Sequence, residues 1–128
     1  MMRLSLLALW VASFAPMAIE APKLLEFRIS ASCIKQISVN ESHVSGQWTL
    51  DIELTDKESN HFYHVTEQHI GHQLAIVDTT GASIGFPAAT IRAPLSGRFR
   101  LASFKSKALA NAAKKQILTQ QANCQFHP

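Results

Sequence analysis

The chain has 128 residues, 47% of them hydrophobic and 16% charged, with a net charge of +3 and two cysteines. That length suits one domain and is too short for two, and the net charge is modest.

The first 21 residues read as a secretory leader. Arg3 supplies the positive start, Leu4 to Phe14 form an apolar stretch, and small residues follow. Pro16 and Glu20 interrupt the run before it reaches the roughly 20 apolar residues of a membrane span, so cleavage is expected near Ala18 to Ala21. Losing Arg3 and Glu20 together leaves the net charge unchanged. The mature chain, roughly 105–110 residues, is expected in the periplasm or outside the cell, with no membrane-spanning segment after the leader.

Residues 22–119 then form the predicted domain. Leu24 to Ser32 alternates partially around Phe27 and Ile29 and suits a strand, with Cys33 directly after it. Val39 to Gly46 is polar and reads as a turn or loop. Gln47 to Thr55 alternates strictly, placing Trp48, Leu50, Ile52 and Leu54 on one buried face and leaving Asp51 and Glu53 toward solvent. Thr55-Asp56-Lys57-Glu58 fits a capping box and starts a helix that carries Phe62, Val65, Thr66 and His69 along one side and stops near Gly71. Leu74 to Val77 is a short buried strand, closed by the turn Asp78-Thr79-Thr80-Gly81. Ala82 to Phe86 and Thr90 to Ile91 are strand candidates flanking Pro87, which marks a sheet edge or bulge. Arg98 to Ser103 alternates again. Ser106 to Gln121 is a helix with Leu109, Ala112, Ala113 and Ile117 at helical spacing. The tail, residues 120–128, is polar and is expected to be loose unless Cys124 holds it. The fold class is therefore α+β: one mostly antiparallel sheet of four to five strands with two helices packed on one face.

The order of these motifs resembles the head subdomain in the first periplasmic region of the SecD/SecDF protein-export factor. The resemblance rests on a strand ending Leu54-Thr55, on Phe62-x-x-Val65-Thr66, on Ile70-Gly71, and on the Leu74 to Val77 strand. Phe86-Pro87, the Ser96-Gly97 turn, and Phe104 before an alanine-rich helix continue it, so that it spans about Leu24 to Ile117. The family's Asp-Gly turn is Asp78-Thr79-Thr80-Gly81 here, its glycine before the phenylalanine is Ala102 or Ser103, and its following threonine is Lys105; Ser103 or Ser106 takes over as helix cap. The resemblance implies a fold, a partner that is protein or extended polypeptide in the cell envelope, and no enzyme. The membrane helices by which full-length SecD couples proton-motive force to translocation have no counterpart in this chain.

Two cysteines in an exported chain allow one intramolecular pairing, Cys33 with Cys124, closing a loop of about 90 residues for roughly 4–5 kcal/mol in the chain-entropy model. Two unpaired thiols or a bridge to another chain are the alternatives. His61, His64, His69 and His72 crowd the first helix and its exit, but His72 follows the terminating Gly71 and a stable zinc site wants three or four fixed ligands, so neither metal nor cofactor is expected. The resemblance places His69 at a helix-end position, which implies a role in closing the last turn. A nucleophile elbow, a phosphate-cradling glycine loop and a His-Glu-x-x-His helix are all absent, so no catalytic residue is assigned. Export removes nucleic acid from the partner list. The candidate partner surface comprises Pro87, Arg92, Arg98, Arg100 and Lys105, an edge marker and four cations of the basic C-terminal half.

Overall fold

The computed structural model describes residues 23–128 apart from Ser45 and Phe86. The predicted leader, its cleavage site and Phe86 lie outside the described residues. Among the described residues no helix is long and apolar enough to cross a membrane.

The domain is α+β, with two helices and two mostly antiparallel sheets. In chain order the elements are β1 (Leu24–Arg28), a 3-10 turn (Ala31–Cys33), β2 (Ile34–Glu41), β3 (Trp48–Leu54), α1 (Asp56–Glu67), β4 (Gln73–Val77), β5 (Ala89–Thr90), β6 (Arg98–Phe104), α2 (Lys107–Leu118) and β7 (Gln125–His127). The strands divide into a four-stranded sheet, β5-β4-β1-β7, and a three-stranded sheet, β2-β3-β6. Within the first, β1 and β4 run parallel and the other neighbours antiparallel.

The strands differ from the sequence reading in three places. Val39 to Glu41 belongs to β2 rather than to a loop, and Gln125 to His127 leaves the tail to pair with β1. The segment from Ala82 contributes only an isolated bridge, Ser83 to Val77, instead of a strand. The break between the sheets is local. Ser30, fully buried, caps the 3-10 turn by accepting from the Ser32 N–H, and its hydroxyl also donates to the Ala122 carbonyl. The chain thus changes direction before β2 begins.

β3 carries the expected alternation, with Leu50, Ile52 and Leu54 buried and Trp48 half-buried. α1 begins where the capping motif places it: Thr55 Oγ1 accepts the Glu58 N–H at 3.3 Å. The Glu58 carboxylate does not return to the cap; it lies 3.3 Å from His61 Nδ1 instead. Phe62 and Thr66 are α1's buried residues. The helix ends at Glu67, earlier than its apolar stripe suggests, and His69 Nδ1 donates to the Val65 carbonyl at 2.6 Å across the last turn. Gly71, at φ +93°, lets the chain reverse so that its N–H reaches the Ile91 carbonyl.

α2 lies against β2, β3 and β6. Ser106 is its cap, accepting the Leu109 N–H at 3.2 Å. Its buried stripe is Ala110, Ala113 and Ile117, while Leu109 and Ala112 are exposed. The stripe is rotated from the expected one, with Ala110 buried in place of Leu109 and Ala112, and Lys107 Nζ lies 5.6 Å from the Trp48 ring centroid.

Cys33 and Cys124 form the disulfide, 91 residues apart in sequence. Cys33 is buried, and Cys124 lies one residue before β7, so the bridge holds the tail strand beside β1. Replacing both cysteines by alanine is expected to cost about 2–5 kcal/mol in chemical denaturation, and thiol titration of the denatured native protein to find no free thiol. At Gly97 a Cβ would stand 1.9 Å from Ser59 Oγ and 2.9 Å from Ser59 Cα. Gly97→Ala therefore pushes β6 away from α1, with an expected loss of about 1–3 kcal/mol measured the same way.

Candidate functional site

The outward face of the three-stranded sheet concentrates the charges. Alternation in β3 turns Asp51 and Glu53 away from the core, and the antiparallel register sets Asp51 opposite Arg100 and Glu53 opposite Arg98. Arg100 Nε donates to Asp51 Oδ1 at 2.7 Å, and Arg98 Nη2 lies 3.3 Å from Glu53 Oε2. The hydrogen bond and charge of Asp51 raise the Arg100 pKa further above its ordinary value.

β2 extends the ladder on the other side. A register shift between Ile34 and Gln36 marks a bulge at Lys35, whose Nζ lies 3.8 Å from Glu53 and 3.7 Å from Asp56. Asn40 Nδ2 donates to Asp51 Oδ2 at 2.7 Å and to Ser38 Oγ at 3.0 Å. Gln36, Ser38, Asp51, Glu53, Arg98 and Arg100 line a shallow groove across this face.

The five sequence-nominated residues distribute over both sheets. Arg98 and Arg100 stand two residues apart on the outward face of β6, with side chains 79% and 60% exposed despite their ion pairs. Lys105, exposed, follows β6 directly. Pro87 and Arg92, both exposed, bracket β5, the outermost strand of the four-stranded sheet. The structure thus groups Arg98, Arg100 and Lys105 along one edge strand and assigns Pro87 and Arg92 to the edge of the other sheet. β6 pairs with β3 on one side and has no strand on its other side among the described residues.

His69 and His72 have ring centroids 5.0 Å apart. Among the described residues no group of three or more histidine, cysteine, aspartate or glutamate side chains is placed to hold a metal ion.

The sequence reading names Asp78 as the first residue of a turn and gives it no organising role. Asp78, buried at 5% exposure, anchors the turn after β4. Its Oδ1 accepts from the Thr80 N–H at 2.9 Å, the Thr80 hydroxyl at 2.6 Å and the Ala82 N–H at 3.0 Å; its Oδ2 accepts from Gln116 Nε2 of α2 at 2.9 Å. Burial alone would push the carboxyl's pKa up, but the donors of Thr80, Gln116 and Ala82 outweigh it and hold the group at about 2. The Asp-x-Thr spacing signals a side-chain-closed turn, whereas Gln116, 38 residues on, gives no local sign.

No family model, no curated protein and no solved structure matches this chain.

Because the folded pKa of Asp78 lies below the unfolded value of 3.8, its contribution is complete at neutral pH and is lost as pH falls from about 4 toward 2. Asp78→Asn is expected to lower stability at pH 7 by about 1–2 kcal/mol, after allowance for solvent screening at the turn, and to flatten the acid limb of a stability-against-pH curve.

Proposed function

We propose that this domain is an exported, non-catalytic binding module that captures extended polypeptide outside the cytoplasm by adding it as a strand to the edge of β6. The observation that carries this reading is that, among the described residues, β6 pairs on one side only while its outward arginines are held in place by β3. An edge strand offers its free N–H and C=O groups in a row, and an extended chain satisfies them without needing a particular side-chain sequence. β2, the other edge of this sheet, is less suited: the bulge at Lys35 interrupts its start, a common way of discouraging strand addition. At β6 the register irregularity lies at the far end, between the Leu101 and Phe104 pairings, and the Arg98 to Leu101 stretch is regularly paired.

The resemblance to the SecD head supports a role beside exported polypeptides, and the disulfide supports residence in an oxidising compartment. A second reading, an inhibitor or immunity protein for one envelope-acting enzyme, draws on the ion-paired outer face around Arg98 and Arg100, which is ordered before any partner arrives.

The test is retention of fluorescent extended peptides on the immobilised native domain, each compared with a version N-methylated at alternate residues. Capture by strand addition requires retention of the plain peptide and its loss on N-methylation; absence of retention of any peptide refutes it. A pulldown from envelope extract that returns one stoichiometric partner supports the inhibitor reading instead.

A further inference from the structure

We infer that the polypeptide taken up at β6 is one whose residues alternate between acidic and apolar, with successive acidic side chains set against Arg98 and Arg100. This rests on the strand-addition reading above and names the sequence chemistry that the edge selects.

Charge sign alternates from strand to strand across the outer face. Lys35 on β2 is basic, Asp51 and Glu53 on β3 are acidic, and Arg98 and Arg100 on β6 are basic. A strand added beyond β6 places its own side chains directly opposite these arginines, with Cβ atoms about 4.5–5.5 Å away, where opposite charges stabilise and like charges destabilise. A guanidinium carries five N–H donors. Arg100 gives Nε to Asp51 and Arg98 approaches Glu53 through Nη2, so each retains donors for a second carboxylate. Their exposures of 60% and 79% leave that second side open to a ligand.

The inward face of β6 sets the other half of the pattern. Phe99 is half-buried and Leu101 buried, and Phe99 borders a mainly apolar hollow with Leu74, Ile76, Pro94 and Leu95, to whose rim Ser96 and Arg98 also contribute. Ligand residues between the acidic ones turn toward this side, so they are apolar. Lys105, just past the strand, adds a third cation at its end.

The same arrangement disfavours a second copy of this chain as occupant. Antiparallel self-pairing of β6 about Phe99 opposes Arg98 to Arg100, and pairing about Arg100 opposes that residue to itself. Either register places like charges face to face.

The experiment measures fluorescence anisotropy of three labelled extended peptides of equal length, alternating valine with glutamate, serine or lysine, against the full native domain. The expected result is tightest binding of the glutamate peptide, by about tenfold over serine, with lysine weakest and the preference shrinking as salt is raised. In Arg98→Gln/Arg100→Gln, verified as folded by its thermal transition, the glutamate and serine peptides are expected to bind equally; a glutamate preference that survives in this variant overturns the assignment to the two arginines. Equal binding of glutamate and serine peptides to the native domain overturns the acidic preference and leaves strand addition standing. Failure of all three peptides to bind overturns both.

Discussion

A cluster of four aromatic rings joins the two sheets, and the rest of the architecture depends on it. Phe27 of β1 is fully buried, 5.1 Å from Phe62 of α1 and 4.7 Å from Phe126 of β7. Phe62 in turn stacks on Phe99 of β6 at 5.6 Å. Among the described residues the two sheets share no hydrogen-bonded strand pair, so side chains unite them, and edge-on and offset ring contacts supply both area and orientation. The cluster also has a functional side. Phe99 is directed inward by the alternation that turns Arg98 and Arg100 outward, so core packing fixes where the two guanidinium groups stand.

How much was legible in the sequence follows from how local each signal is. β3, α1, β4 and α2 announce themselves by strict alternation, a capping threonine, an apolar run and an alanine-rich helical spacing. β2 was missed because Ser38 and Asn40 lie on its solvent face, Glu41 ends it, and the bulge at Lys35 breaks the alternation at the point where a reader would begin to count. β7 has only three residues and exists through its pairing with β1 and the neighbouring disulfide. Its sequence gives little propensity signal of its own.

The outer-face ladder is a different case. Asp51 and Arg100 are 49 residues apart, so nothing local connects them. Yet Asp51-x-Glu53 and Arg98-x-Arg100 are spaced identically on two alternating strands of opposite charge, a match that antiparallel pairing converts into two ion pairs. The basic half of the sequence is accordingly less uniform than its composition suggests. Arg98 and Arg100 have acidic neighbours and Lys107 lies over an indole, whereas Lys105 and Arg92 are simply exposed. The pattern of cations, more than their number, gives β6 its character.

The disulfide has a topological consequence beyond stability. Everything between Cys33 and Cys124 lies within one covalent ring, containing seven of the nine regular elements among the described residues: β2, β3, α1, β4, β5, β6 and α2. A single proteolytic cut in any loop of that ring, including the Asp78 turn or the stretch around Pro87, leaves both fragments tethered. The domain can thus be nicked once and still migrate as a single species until it is reduced, a useful property for a protein whose working surface is the edge of a strand.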